Sequence, residues 1–414
     1  INNIIKPKVE LRMKVYIITR EPFPYGMAGT NRIKCYVKAL KKSGVQCEVI
    51  IFTRTEIYGK APKNTIGKGV YDGMHFTYIG GTPLRHKNVI VRKFNDFKDR
   101  WRAMLFLSRN LQAGDIVLSY CGVYARYINW VIDIAHRKKV KFVRDLCELP
   151  YGTSKETNSK VKWRNYTLTR QFPKCDGFIA ISDSLVELAE KYKKTDAQIL
   201  KVPIMVDFEK YSLPDKSSET SIPYIFHSGT LTEQKDGILG MIEAFGMALQ
   251  KLSMPIMFIS TGNKESSPHR EAINELIDEY HLEKKLVFTG YLSEKELKEY
   301  LSKASLVIIN KYETQQNKYC FSTKLAEYMA ASKPVIITRV GEAMNWLTDD
   351  RDAYIVRPHD MNALAEKIVE AFTNSEKRYV IASNGFETCK ACFDYENYGD
   401  KLVDFFTKLS NNGN

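Results

Sequence analysis

Short apolar runs rich in Val, Ile and Phe recur through the first half of the chain, at 13–19, 47–52, 115–120, 140–146, 176–181 and 199–206. Each is bounded by Gly, Pro, Asp or Ser. Stretches of helical periodicity lie between several of them, at 30–43, 92–111, 124–138 and 183–193. Near-continuous apolar strands alternating with helices predict βαβ units and a parallel sheet. The alternation halts over 207–222, a polar, Pro-flanked stretch that reads as a linker. It resumes with runs at 223–229, 255–260, 285–289, 305–310, 334–338 and 353–357. The pattern therefore predicts an α/β protein with two doubly wound parallel-sheet domains, 13–206 and 223–392. The closing segment 393–414 places Phe393, Tyr395, Tyr398, Leu402, Phe405 and Phe406 at helical spacing and could pack across both domains. Ligands of open parallel sheets sit outside the carboxyl ends of the strands. Two such domains facing a cleft would suit transfer between two large substrates.

Composition narrows the class. The chain has 414 residues, 44% hydrophobic and 27% charged, which excludes a disordered chain or a disulfide scaffold. No apolar run approaches a membrane span, and no secretory leader opens the sequence. The eight cysteines are sparse, so a reducing cytosol is expected. Met13 opens the first apolar run, and residues 1–12 read as an upstream extension. The net charge of +14 is uneven. Residues 1–200 hold 37 Lys and Arg against 17 Asp and Glu, whereas 201–414 hold 25 against 31. A strongly basic first half points to an anionic partner: nucleic acid, a membrane surface or a phosphorylated acceptor.

The most informative stretch runs from Asn317 to Ile336. A strand ends, a polar loop follows, and a helix starts near Ser322. First-turn amides without intrahelical partners, with the helix dipole behind them, make an anion site that fits a diphosphate. Lys324 adds a full charge. Glu327, one turn up the same face, could accept bonds from two ribose hydroxyls. A plain i,i+3 Lys–Glu surface pair explains the same spacing.

At Phe321-Ser-Thr-Lys-Leu-Ala-Glu-Tyr-Met-Ala-Ala-Ser-Lys-Pro-Val-Ile the chain resembles the nucleotide-sugar motif of family-4 glycosyltransferases, retaining enzymes of the GT-B fold with two Rossmann-like domains facing a cleft. His227-Ser-Gly-Thr-Leu-Thr-Glu-Gln-Lys-Asp-Gly resembles the first loop of the C-terminal domain of that family, and Val287-Phe-Thr-Gly-Tyr-Leu-Ser its base-binding loop. Asp176-Gly-Phe-Ile-Ala-Ile-Ser with Val202-Pro-Ile-Met-Val-Asp resembles the strand pair before the linker, and Pro24-Tyr-Gly-Met-Ala-Gly the glycine-rich loop after the first strand. The resemblance implies a retaining transferase that moves a sugar from a UDP- or GDP-linked donor, with no further cofactor and no metal. The acceptor would be a glycan or lipid-linked molecule in cell-surface polysaccharide or glycolipid synthesis.

By the same resemblance Glu327 would hold the ribose, and the backbone of Phe321, Ser322 and Thr323 would meet donor phosphate and sugar. Lys235 would neutralise the diphosphate and assist the leaving group. Gly229 would let the backbone approach the phosphate, and Gly26 and Gly29 would do so near the transferred sugar. Thr289, Gly290 and Tyr291 would neighbour the base. The pattern departs from many members at two positions: Tyr319 stands where they carry Glu, and Thr230 where they carry Arg. The sugar contacts are then open among Asn317, Lys318 and Tyr319. In the first domain Asp145 and Glu148 follow a buried strand and are candidates to orient the acceptor hydroxyl. The resemblance also implies transfer without an essential protein base: the departing phosphate would take the acceptor proton on the same face, and the protein would supply positioning and charge.

Other signals carry less. Cys389-Lys-Ala-Cys392 lacks the further ligands of a zinc site and falls inside a terminal helix, which favours packing. The basic stretch 92–111 has an apolar stripe of Phe94, Phe97, Trp101, Met104 and Leu105. It reads as a core-packed helix with a solvated outer face, or as a surface for anionic lipid headgroups. Lys155–Lys174 adds further basic charge, and no nucleic-acid module accompanies it. A peripheral enzyme at the inner face of the membrane, otherwise cytoplasmic, is the resulting expectation. The alternatives are a nucleotide-sugar epimerase or hydrolase on the same fold, or a catalytically weak nucleotide-sugar-binding protein.

Overall fold

Six residues from Lys14 to Thr19 form β1, and five of them are buried, because a central parallel strand is covered by helices on both faces. The computed structural model describes residues 13–120, 125–152, 156–211 and 222–411. The stretch 1–12 and most of the 207–222 linker lie outside the described residues.

The first unit comprises residues up to Met205 together with Tyr395–Asn414. Its strands are β1, β2 (Gln46–Ile51), β3 (Lys68–Tyr71), β4 (Met74–Tyr78), β5 (Ile116–Ser119), β6 (Lys141–Leu146), β7 (Gly177–Ala180) and β8 (Gln198–Lys201), in the order β3-β4-β2-β1-β5-β6-β7-β8. All pair in parallel except the hairpin β3–β4. Ile17 stands opposite Val49 on one side of β1 and Leu118 on the other. Helix α1 (Ala28–Lys42) covers one face. The terminal helix Gly399–Asn411 packs on it and buries Leu402, Phe405, Phe406 and Leu409 in the same core as Tyr36 and Val37. A Cβ on Gly399 would come within 2.6 Å of the Ala39 carbonyl, so only glycine admits that approach. The segment 393–414 is divided: Phe393 belongs to the second unit, its ring edge-on to Phe321, whereas Tyr395, Tyr398, Leu402, Phe405 and Phe406 lie in the first unit's core.

Helix α2 (Val89–Asn110) departs further from expectation. It buries only Asp99, Ala103 and Leu107. Phe94, Phe97, Trp101 and Leu105 face outward at 63%, 57%, 58% and 49% exposure. The core-packed reading of this stripe is overturned: the inner face of the helix is made by Ala103, Leu107 and the ion-paired Asp99, and Phe94, Phe97, Trp101 and Leu105 lie on the solvent side.

The second unit, Val206–Asp394, carries β9 (Tyr224–His227), β10 (Met257–Ser260), β11 (Leu286–Phe288), β12 (Leu306–Ile309), β13 (Val335–Thr338) and β14 (Tyr354–Val356). The order is β11-β10-β9-β12-β13-β14, all parallel. Its core includes Ile225, Phe245, Phe258, Ile308, Ile336 and Tyr354. The order in which strands are added to the sheet reverses between β1 and β5 in the first unit and between β9 and β12 in the second. At such switch points adjacent loops diverge and leave a crevice at the carboxyl ends. Among the described residues no helix is long and apolar enough to cross a membrane.

Candidate functional site

The second unit's switch point gathers the segments after β9 and β12. After β9 the chain passes through Ser228–Thr232, makes a single helical turn over Glu233–Asp236, and turns at Gly237 with φ +59°. A Cβ on Gly237 would lie 2.6 Å from the Asn310 amide nitrogen, which donates to the Gly237 carbonyl at 2.8 Å. This contact joins the two segments.

Asp236 is the hub. It is buried; its Oδ1 accepts from Lys324 Nζ at 2.6 Å, and its Oδ2 accepts from both the backbone N–H and the Oγ1 of Thr230 at 2.8 Å each. Burial pushes this carboxyl up, but the Lys324 charge and these hydrogen bonds outweigh it and hold it far below the usual range. His227 lies under the hub. Its Nδ1 donates to the Ile308 carbonyl at 3.3 Å, and Nε2 stands 3.8 Å from Asp236 Oδ1. Burial, with the nearby Lys324 charge, lowers its pKa to about 3, so the ring is neutral.

Gly229 is hemmed in by the protein itself. Its N–H donates to Thr261 Oγ1 at 2.8 Å, and a Cβ there would lie 2.3 Å from His227 Nε2 and 2.8 Å from the Asp236 carboxylate. The crowding that demands glycine comes from the protein's own side chains. Thr230 likewise spends both donors on Asp236 and offers neither to a ligand in this arrangement.

The helix Thr323–Ala330 begins where the sequence placed it. Its N-cap Ser322 makes no side-chain cap bond, so the first-turn amides have no side-chain acceptor there. Tyr328 Oη accepts from the Ser228 N–H at 2.9 Å and also bonds Ser228 Oγ at 2.9 Å, tying this helix to the β9 loop. Phe321 is buried with its ring edge-on to Phe393, and Glu327 is half-buried on the next turn. Lys235 is exposed, and its carbonyl accepts from Lys311 Nζ at 3.2 Å. Lys311 is lowered below the usual lysine value by burial and by repulsion from Lys324. Lys235, Lys311 and Lys324 thus surround one buried carboxylate, and two of the three positive charges have no counterpart in it. The arrangement can accept a polyanion.

On the far side of β9, Gly262 and Gly290 exchange backbone hydrogen bonds at 2.9 and 3.1 Å, both with positive φ. Thr289 is held to Ser260, and Tyr291 is 71% exposed beside them. Tyr319 ends the short helix Gln315–Tyr319 and is half-buried. Asn317, one of the three residues open for the sugar, is buried and donates to the Tyr312 carbonyl at 2.8 Å, which ties it to the loop. Sequence reasoning missed Asp236, Lys311 and Tyr328. Asp236 directly precedes the turn glycine, and that was the available signal.

In the first unit Asp145 does not face a ligand. It is 1% exposed and accepts from Arg32 Nε at 3.3 Å, Arg32 Nη2 at 3.4 Å, the Tyr36 hydroxyl at 3.1 Å and the Cys147 thiol at 3.2 Å. Arg32 also donates to the Val202 and Pro203 carbonyls. Asp145 anchors α1 to the sheet, and its burial beneath Arg32 and Tyr36 contradicts the expectation that it orients an acceptor hydroxyl. Glu148, three residues later, is exposed. A Cβ on Gly26 would meet Thr30 Oγ1 at 1.9 Å and the Pro22 carbonyl at 2.9 Å, so glycine is needed there, whereas a Cβ on Gly29 would meet only the movable Glu21 side chain, at 2.8 Å. Cys389 is buried in the helix Ser375–Phe393 with its thiol on the Ala326 carbonyl.

Residues 212–388 match the family described as Glycosyl transferases group 1. The fold matches sucrose-phosphate synthase from Thermosynechococcus elongatus, with TM-score 0.71, 16% identity, and 97% of this chain and 100% of that one covered. It also matches Anabaena HepE in complex with UDP and glucose, with TM-score 0.68, 13% identity, and 95% and 99% covered. An uncharacterized glycosyltransferase of Methanocaldococcus jannaschii is 24% identical over 183 residues, 44% of each protein. A second from the same organism is 39% identical over 70 residues, 17% of this chain and 20% of that protein. The chain therefore spans less than half the length of the curated relatives it matches. The two parallel-sheet units form a GT-B fold, and the matches support a glycosyltransferase.

Proposed function

Starting from a GT-B glycosyltransferase, we propose that this protein is a retaining enzyme of the family-4 type that moves a sugar from a UDP- or GDP-linked donor to a glycan or lipid-linked acceptor. The observation that carries the reading is the lysine-surrounded crevice between β9 and β12, beside the uncapped first turn of Thr323–Ala330. In this reading the diphosphate lies against the first-turn amides, with Lys235 and Lys311 meeting its charge. Glu327 accepts from the ribose hydroxyls, and Thr289, Gly290 and Tyr291 border the base. As the sugar–phosphate bond breaks, negative charge grows on the leaving oxygen. Fixed cations stabilise that charge more than the ground state. The same phosphate then takes the acceptor proton, so no side chain serves as base. HepE, whose structure holds UDP and glucose on the same fold, is in keeping with such a donor.

Purified protein assayed with nucleotide sugars and a panel of acceptors tests this. Glu327→Ala is expected to raise the donor KM, and Lys235→Ala to lower kcat by ~10²-fold or more through lost leaving-group stabilisation. Full activity in both variants would overturn the site.

We also propose that the enzyme works at a membrane surface. Its support is the outward stripe Phe94, Phe97, Trp101 and Leu105 on α2, with Lys98, Arg102 and Arg109 on the same helix. Apolar side chains at the headgroup boundary with cations beside them suit an anionic leaflet, at about 1 kcal/mol per Lys or Arg. Flotation with anionic vesicles should capture the protein, and neutral vesicles should not. Phe97→Ser with Trp101→Ser should abolish capture while leaving the unfolding midpoint nearly unchanged. Capture unaffected by both substitutions would remove α2 from the contact.

A further inference from the structure

The first unit contains a cavity of about 280 Å³ that the donor reading does not use. It opens where β1 and β2 end, the end of a parallel sheet at which ligands sit. Arg20 follows β1, Arg54 follows β2, Arg85 comes from the loop before α2, and Arg92 and Lys93 from the first turns of α2. Against these cations the lining offers one carboxylate, Asp96.

Two of the arginines are fixed by the fold. Arg54 Nε donates to Asp99 Oδ2 at 3.0 Å, and its Nη2 donates to the Gly80 carbonyl at 3.4 Å. Asp99 is buried on the inner face of α2, and a Cβ on Gly80 would lie 2.6 Å from its Oδ2, so glycine makes room for the pair. Arg85 Nε donates to the Arg54 carbonyl at 2.8 Å. His86, also in the lining, accepts the Asn88 N–H on Nδ1 at 3.1 Å, which leaves Nε2 as the ring's donor. Donors held this way lose little freedom when a ligand binds.

Like charges gathered in one concavity repel, and an anion relieves the repulsion. Guanidinium forks match phosphate oxygens two at a time. The volume exceeds that of a lone ion and suits a phosphate with a small polyol attached. We propose that this cavity binds a phosphate group carried by the acceptor, with Arg54 and Arg85 as fixed donors and Arg92 and Lys93 as the outer charges. The word acceptor rests on the transferase reading above; the phosphate site itself rests on the cavity.

The test uses the full chain and the double variant Arg92→Gln, Lys93→Gln on the outer turns of α2. Calorimetric titration with glycerol phosphate should show binding that plain glycerol lacks. The double variant should weaken it about tenfold or more, while UDP affinity stays unchanged. Phosphatidylcholine vesicles containing phosphatidate form a second arm. If these bind with the same sensitivity to the variant and glycerol phosphate does not, the phosphate is a lipid headgroup, and the site stands. If the wild type binds neither probe, or the double variant binds both as well as the wild type, the proposal is overturned. Phosphate binding without any sugar transfer would overturn the transferase reading and leave this site intact. Transfer that persists with no phosphate binding would do the reverse.

Discussion

Asp145 in the first unit and Asp236 in the second are both buried aspartates beside a cation near the carboxyl end of a parallel sheet. Their partners differ. Arg32 is itself buried and spends two further donors on the Val202 and Pro203 carbonyls, while Tyr36 and Cys147 take further positions on Asp145. The group is sealed from solvent, with side-chain exposures of 3% and 0% for Arg32 and Asp145. Lys324, by contrast, keeps 25% of its side chain exposed, and Lys235 and Lys311 stand nearby with charge that Asp236 does not neutralise. A buried acid therefore marks an anchor or a site according to how its partner's remaining valences are used.

The sharpest way to break this comparison is Arg32→Met. It leaves Asp145 buried without its cation and should cost about 3–5 kcal/mol in urea unfolding, since an uncompensated buried charge is worth that much. A loss below about 1 kcal/mol would mean that Asp145 is not an anchor. UDP affinity, read at a temperature where the variant is folded, should be unchanged.

Asp236→Asn should have a smaller effect on stability, about 1–3 kcal/mol, because Lys324 can turn toward water and the Thr230 bonds are partly kept. Its signature is functional. With Lys324 no longer held, donor affinity should change and its salt dependence should steepen. Stability lost with no change in UDP binding would place Asp236 with Asp145.

The third difference concerns pH. His227 titrates at about 3 in the folded protein and near its ordinary 6.5 when unfolded. Between those values the unfolded chain binds the extra proton, so stability falls as pH falls from about 6.5 toward 3. The slope reaches at most about 1.4 kcal/mol per pH unit. Comparing His227→Gln with the wild type between pH 6 and 4.5, above the range where most carboxylates protonate, isolates it. Equal slopes would show that the ring is not held neutral. At the alkaline end, the depressed Lys311 should make nucleotide affinity decline below the usual lysine range, because the bound diphosphate needs its charged form.

Reading the chain for apolar runs found twelve of the thirteen parallel strands and placed the start of each within two residues, because a strand covered on both faces has no alternation to obscure it. The same habit missed the hairpin β3–β4. Its strands alternate, and its signal lay in the turn: Asp72 and Gly73 both take positive φ, the pairing expected of a tight hairpin. The start of the donor helix at Ser322 was legible for a local reason, since polar loop residues precede an apolar periodic run.

What the sequence determined by itself is what depends on near neighbours. Strand positions, the doubly wound order, the interrupted middle and the helix opening the 321–327 motif follow from local periodicity and turn chemistry. What only the tertiary structure decided is which way equivalent residues face and what they meet. Asp145 and Glu148 lie three residues apart in one segment, yet one is sealed under Arg32, 113 positions away, and the other is exposed. The stripe of α2 looks like a core face in one dimension and points outward in three. Asp236 meets Lys324 across 88 residues, and five cations from four separate segments meet around one cavity. Such contacts arise from packing whole elements against one another, and no local pattern encodes them.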